Sequence, residues 1–518
     1  MGADRKELVR ELYEAFSAGE SVIYRSPEPD IEIPDVTLTE HVLGGAAARG
    51  DHPAFIEGAG GPVTTYAELA QQVDAVAALL QSRGIGKGDV VGLVGPNTPG
   101  WGIAYHAILR AGAVVTPMYA LLTPGEIQRQ MANSEAKLLI DDPPGFVAQA
   151  EPGATPEAVE VDPEDLAVLP YSSGTTGLMK GVMLTHRNLV ANIEQAWNSM
   201  PLNDEDVLVG LMPFFHIYGQ TVVLNMGLAK GSTIVTMARF DLDELLEIVE
   251  RHGVTWLHIA PPIVLAFATA PQIEDRDTSR LKMVISGAAP LDADLAERAE
   301  ERIGAPIRQG YGMTELSPVS HKSRLARIEE TPRGSIGALI PNTEARLVDP
   351  ETGEDVPEGE QGEIWIRGPQ VMRGYLSNDE ATAEALVGDG WIRTGDIGRV
   401  DENGFFYIVD RLKELIKYKG HQVPPAELEA VLVSHPKVKD AGVIGMRTEE
   451  GEEAPMGCVV VEGDVEGDEL LAYVAERVAP YKKLRRIEFV DEVPKSASGK
   501  ILRRVLREQY GDAKIGAS

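Results

Sequence analysis

Four short stretches of this 518-residue chain combine residue types that can do chemistry together. Tyr171-Ser172-Ser173-Gly174-Thr175-Thr176-Gly177-Leu178-Met179-Lys180-Gly181 packs hydroxyls, glycines and a lysine into one loop. Glycines let backbone N–H groups close around phosphate oxygens, hydroxyls add donors, and lysine brings a mobile positive charge. The order is not that of a Walker A loop, and an alternating, strand-like run at 181–185 follows where a helix would be needed. A Ser/Gly/Thr surface linker has a similar composition, so this stretch alone leaves two readings open. Gln309-Gly310-Tyr311-Gly312-Met313-Thr314-Glu315 sets an aromatic between glycines, then a hydroxyl and a carboxylate. Such a tyrosine can stack on a base and such a carboxylate can hold a hard cation, although a tight turn around a core tyrosine would look alike. Trp391-Ile392-Arg393-Thr394-Gly395-Asp396 offers a carboxylate able to accept two ribose hydroxyls, and Pro494-Lys495-Ser496-Ala497-Ser498-Gly499-Lys500 ends on a lysine in a flexible-looking tail loop.

Taken together and in this order, the four stretches resemble the adenylate-forming superfamily of acyl-CoA synthetases, peptide-synthetase adenylation domains and luciferases, over about residues 38–504. Within it the chain is most similar to acyl-CoA synthetases of the 4-coumarate–CoA ligase type, through Asp410-Arg411-Leu412-Lys413-Glu414-Leu415-Ile416-Lys417-Tyr418-Lys419-Gly420-His421-Gln422, Met212-Pro213-Phe214-Phe215-His216-Ile217-Tyr218-Gly219 and Ser286-Gly287-Ala288-Ala289-Pro290. One departure is Met179, where the family's phosphate loop usually carries proline.

The resemblance implies an ATP-, Mg²⁺- and CoA-dependent acid–thiol ligase and assigns expected roles. The nucleotide site would comprise Ser172, Ser173, Gly174, Thr175, Thr176, Gly177, Lys180, Gly310, Gly312 and Thr314, with Glu315 on Mg²⁺. Tyr311 and the Gly287, Ala288, Ala289 loop would bracket adenine, Asp396 and Arg411 would bind ribose, and Lys417 and Gln422 would face the site in one pose. Lys500 would meet the attacking carboxylate and the α-phosphate, and His216 would orient the substrate carboxylate or gate its path. Tyr218, Gly287, Gly312, Pro318 and Val319 would line the acyl pocket together with His216. Lys419 and Gly420 would border the CoA tunnel, and Lys413 would be the hinge on which a small C-terminal domain swings.

These residues need elements to position them. Thr65 and Glu68 form a capping box ahead of the apolar series Leu69, Val73, Val76 and Leu80. Strand-like runs at 89–94, 113–117 and 137–140 alternate with helices that open after Pro99 and at Thr123-Pro124. The rhythm resumes with strands at 254–260, 282–286 and 306–309, each expected to run into a glycine-containing loop. That alternation predicts an α/β fold, a mostly parallel sheet covered by helices with ligand at the strands' carboxyl ends. Residues 335–409 read as an antiparallel β-rich module and the chain after Arg411 as a small α+β unit, giving domains at 1–411 and 412–518.

Composition narrows the function classes. A net charge of −32 disfavours nucleic acid or an anionic membrane as the main partner. No apolar run reaches the roughly 20 residues that span a bilayer, and residues 1–20 read as an amphipathic docking helix. A single cysteine, Cys458, permits a reducing cytoplasm. The acidic excess, with arginine outnumbering lysine, suggests a protein adapted to high salt. The resemblance implies a monomer or homodimer acting on a small-molecule carboxylic acid. The apolar wall around residues 259–267 puts a medium- or long-chain fatty acid first among substrates and an arylalkenoic acid second. A carrier-loading adenylation enzyme, a luciferase-like oxygenase and a non-catalytic sensor are the rivals. The chain's retention of Glu315, Asp396 and Lys500 together argues against the sensor.

Overall fold

The computed structural model describes residues 22–173, 179–412, 414–418, 421–447, 453–496 and 499–511. The expected N-terminal docking helix, Gly174, Thr175, Thr176, Gly177, Lys413, Lys419 and Gly420 lie outside the described residues, as do the side chains of Ser173 and Gln422.

Two helix-covered sheets form the bulk of the chain. In the first, Leu166–Val168, Val114–Met118, Val90–Val94 and Leu138–Ile140 run parallel, while Met179–Thr185 and then Gly374–Tyr375 join antiparallel at one edge. The second runs Ala338–Leu339, Val319–Lys322, Ile307–Gly312, Met283–Ser286, Trp256–Ile259, Val207–Gly210, Thr233–Thr236, Pro53–Glu57 and Val63–Thr65. Its six central strands are parallel. Such strands are buried on both faces, which is why these segments are near-continuous apolar runs. The helices between them start where side chains can take up the free N–H groups. Thr65 with Glu68 and Thr123 with Glu126 both form full capping boxes. The helix Tyr66–Ser82 then buries Leu69, Val73, Val76 and Leu80 as its spacing requires.

A third, antiparallel sheet holds Glu344–Val348, Gly362–Arg367, Trp391–Val400, Leu386–Val387 and Phe406–Arg411. Tyr24–Arg25 from the chain's start adds an edge strand that no periodicity announced. The remainder has its own sheets, the hairpin Ile416–Tyr418 with His421–Val423 and the strands Val438–Arg447, Glu453–Val461 and Arg486–Phe489. Leu428, Leu432, Val443, Met456, Leu470 and Val474 belong to a separate apolar core there, and Cys458 is buried in it.

Two expectations are corrected. Gly310, Tyr311 and Gly312 are not a loop after the strand but part of it, because Gly310 to Gly312 pair antiparallel with Val319–Lys322. Ile259, Val264 and Phe267 pack into a core cluster distinct from the one Tyr218 packs against, so these three residues of the expected apolar acyl wall at 259–267 turn away from Tyr218. Strand alternation puts His258, not Ile259, on Tyr218's side.

Candidate active site

The strand Ile307–Gly312 ends beside the hairpin that brings Asp396 and Arg411 together as cross-strand partners. Tyr311 donates its hydroxyl to Asp396 Oδ2 at 2.6 Å, and Arg411 Nε lies 3.2 Å from Asp396 Oδ1. Asp396 is buried, so both carboxylate oxygens are held in a low-dielectric setting where such bonds are strong. Burial, then the neighbouring Asp396 charge, drives the Tyr311 phenol well above its ordinary pKa, so it is a permanent donor here.

A second node surrounds Glu315, in the short turn Thr314–Leu316. Ser172 Oγ donates to its Oε1 at 3.1 Å and the Tyr375 hydroxyl donates to the same oxygen at 2.9 Å. Oε2 has no bond among the described residues, so one oxygen of a buried carboxylate stays available. No group of three metal-ligating side chains exists among the described residues. A hard cation held by Glu315 would therefore take its other oxygens from phosphate or water, which suits Mg²⁺. The Lys180 ammonium lies 4.9 Å over the Tyr375 ring, which places it beside this node. Tyr375 was missed in sequence, where Gly374-Tyr375 read only as part of the β-rich module. The structure moves it to the edge of the first sheet, against Met183 and Val182.

The tail loop comes to these nodes from the other end of the chain. Ser496 N–H donates to the Lys500 carbonyl at 2.8 Å, Lys500 N–H donates to Ser496 Oγ at 3.1 Å, and Lys495 and Ile501 form a bridge that closes the loop. Gly499 has φ +82°, and a Cβ there would stand 3.3 Å from Ala260 Cβ, so the loop sits on the start of the helix Pro261–Thr269. Burial and then the Arg411 charge pull the Lys500 ammonium down to about 8, with Asp396 and Glu414 opposing them. The loop thus delivers Lys500 into the field of the Asp396–Arg411 pair.

Behind the loop, the chain is clamped. Arg503 contacts Glu414 and bonds Glu429 at 2.6 Å, while Asp410 accepts Ala426 N–H at 2.9 Å at the start of the helix Pro425–Val433. None of Glu429, Asp410 or Arg503 was singled out in sequence. Lys417 is exposed and its backbone N–H donates to Glu453 at 2.9 Å; no side-chain bond ties it to Asp396 among the described residues. The backbone of Gln422 pairs with it across the hairpin. The structure does not bring the Lys417 side chain into the cluster.

The acyl side is built around tight approaches. A Cβ on Gly287 would lie 2.9 Å from the Tyr218 ring, and one on Gly312 would lie 2.0 Å from the Pro318 carbonyl, so only glycine fits either place. Ala288 adopts φ +70°, a conformation that alanine holds only under strain. Asn192 fixes Val319 by accepting its N–H at 3.0 Å and donating to its carbonyl at 2.8 Å. His216 accepts Tyr218 N–H on Nδ1 at 3.2 Å, and burial holds it down to about 4. It is therefore neutral with its proton on Nε2. His216, Phe215, Tyr119, Met179 and Thr314 line a small cavity of about 60 Å³.

Known proteins share this organisation. The family described as AMP-binding enzyme matches residues 44–376, and the AMP-binding enzyme C-terminal domain matches residues 427–500. The chain is 41% identical to 4-coumarate–CoA ligase 5 of Oryza sativa subsp. japonica, covering 95% of this chain and 98% of that enzyme. Among solved structures, anthranilate CoA ligase AuaEII in complex with anthranoyl-AMP superposes with a TM-score of 0.86 at 25% identity, covering 93% of this chain and 98% of that one. ATP-bound MatB from Rhodopseudomonas palustris superposes at 0.84 with 28% identity, covering 92% and 99%.

Proposed function

The chain belongs to the AMP-binding enzyme family and is an AMP-forming acid–thiol ligase that uses ATP and CoA, and from that premise we propose that it activates an aromatic, arylalkenoic-type acid. The fatty acid expected first from sequence yields to the alternative. The full-length likeness to a 4-coumarate–CoA ligase supports an aryl acid, and Ile259, Val264 and Phe267 of the wall that favoured an acyl chain pack away from Tyr218. The observation that carries the reading is the approach of Lys500, from the tail loop, to the hairpin pair Asp396 and Arg411, close enough for their charges to act on it.

In the first half-reaction a carboxylate oxygen attacks the α-phosphorus of ATP, the bond to the bridging oxygen breaks, and pyrophosphate leaves. Two anions must approach, so positive charge placed at their meeting point lowers the barrier most. We assign that charge to Lys500. Asp396 takes the ribose hydroxyls with Arg411 behind it, Tyr311 and the Gly287, Ala288, Ala289 loop hold adenine, and Thr314 and Lys180 take phosphate oxygens together with the Ser172 to Gly177 loop. Glu315 would hold Mg²⁺ through its open Oε2, and the ion would supply charge neutralisation on the phosphates. His216, neutral and with Nε2–H free to donate, orients the acid's carboxylate.

In the second half-reaction the CoA sulfur attacks the acyl carbon, the bond to the AMP oxygen breaks and the thiol proton is lost to solvent. A lysine seated at the α-phosphate is misplaced for that step. Domains at 1–411 and 412–518, with Lys413 as hinge and Lys419 and Gly420 beside the thiol's path, allow the tail loop to leave its seat on Ala260. The pose with Lys500 seated is the adenylating one.

The test is pyrophosphate and AMP release with Mg-ATP, in buffer of raised salt suited to a chain of net charge −32, across cinnamate, 4-coumarate and fatty acids of graded length. Release peaking on an aryl acid and rising with CoA supports the reading. A peak on a fatty acid returns the first expectation, and release indifferent to CoA points to a carrier protein as acceptor.

A further inference from the structure

Beside Tyr218 the interior is polar in a way that the nucleotide chemistry does not use. The Tyr218 hydroxyl donates to the Ile285 carbonyl at 3.2 Å, and its ring meets the His258 ring edge-on at 5.9 Å. Among the described residues, neither ring nitrogen of His258, a residue 1% exposed, has a hydrogen-bond partner. Lys322 pairs with Gly310 across the strands, and a Cβ on Gly310 would lie 3.8 Å from Ile285 Cγ2, so Lys322 shares the face of Ile285. It is 4% exposed, and its ammonium reaches only the Ala196 carbonyl, at a long 3.4 Å, among the described residues. No carboxylate among the described residues pairs with it. Burial brings the Lys322 ammonium down to about 7, and its charge helps to depress His258, so the two groups feel each other's field. Buried donors are normally satisfied, and a buried ammonium without a counter-ion is costly. A cluster of this kind beside Tyr218 is short of one anion.

We propose that His258 and Lys322 form the polar end of the acyl pocket, so that the preferred acid carries a second carboxylate at the end remote from the reacting one. The inference rests on the acyl pocket proposed above, with Tyr218, Pro318 and Val319 as its walls. The far carboxylate accepts from the Lys322 ammonium and from a His258 N–H, and an acid ending in methyl leaves both donors stranded. Val319 lies on the same strand as Lys322 and is pinned by Asn192, which fixes the strand from which Lys322 projects.

The experiment compares 4-carboxycinnamate with 4-methylcinnamate, and dicarboxylic acids of six to ten carbons with their methyl-terminated counterparts, in wild type, Lys322→Met and Lys322→Gln at pH 7. At least one carboxyl-terminated acid should exceed its methyl-terminated counterpart by about tenfold or more in kcat/KM. In both variants that ratio should fall by a similar factor, through KM for the acid and not KM for ATP, with melting curves confirming that each variant is folded. Wild-type preference for the methyl-terminated acid in every pair, or a ratio that survives in both variants, overturns the inference alone. Failure of every acid to give CoA-dependent AMP release overturns the ligase reading and this inference with it.

Discussion

The nucleotide end and the acyl end of this site are organised on opposite principles. At Asp396 both carboxylate oxygens have partners, Tyr311 and Arg411, and at Glu315 two hydroxyls converge on one oxygen. At the proposed acyl end, among the described residues, His258 has no hydrogen-bond partner and Lys322 reaches only the Ala196 carbonyl. The first end is largely preorganised before a ligand arrives, with only Glu315 Oε2 left open among the described residues, as suits a ligand common to a whole family. The second end is left incomplete, and what completes it distinguishes one acid from another. Preorganisation speeds a shared step, whereas unsatisfied groups discriminate.

Replacing Lys500 with alanine tests the finished end hardest. Adenylate formation should fall about 100- to 1,000-fold, while thioester formation from supplied acyl-AMP should change far less. Equal losses in separate single-turnover assays of the two halves would remove Lys500 from its assigned role. Asp396→Asn keeps the shape but removes the charge that Arg411 faces, and should cost about 10- to 100-fold in kcat/KM for ATP. An unchanged KM for ATP would detach this node from ribose.

The unfinished end predicts the reverse for stability. Lys322→Met removes a buried, unpaired ammonium and should stabilise the free protein by about 1–3 kcal/mol near neutral pH. The folded pKa of Lys322, about 7, lies below the ordinary lysine value, so the unfolded chain binds its proton more tightly. The cost is full below pH 7 and disappears as pH rises through the alkaline window toward 10. The gap between wild type and variant in urea melts should therefore narrow with rising pH. A gap that widens would mean that Lys322 is already paired.

The smallest effect is a titration. Lys500 is held at about 8, so the adenylation rate should lose its cation on an alkaline limb centred there. The thioester half-reaction, measured alone, should lack that limb.

Much of the nucleotide end was legible because its residues sit in short, contiguous stretches whose composition has few other uses. Ser172, Tyr311, Glu315, Asp396 and Lys500 all come from such stretches, and the folded chain brings them near one another as expected. Tyr375 escaped notice because its part depends on which sheet edge its two-residue strand joins, which is a tertiary choice. His258 and Lys322 were hidden for another reason. His258 stands among apolar neighbours in a buried strand and Lys322 beside serine and histidine in another, and only the direction of strand alternation, set by pairing, reveals that both lie on Tyr218's side of the sheet. The same alternation turned Ile259 away. Glycine roles were half visible: Gly310 to Gly312 suggested a loop, yet the pairing with Val319–Lys322 makes it a strand where close approach, not turning, demands glycine.

The contact between Gly499 and Ala260 has a further meaning. Glycine faces the Ala260 methyl and the edge of the Pro262 ring, so the fit between them works as a clearance gauge. A bulky residue at position 260 would act as a doorstop: the lysine could not come to rest, yet nothing would bar the thiol from an adenylate already made. The cycle would then run only in its second half, and a single side chain at the seat would separate making the activated acid from spending it.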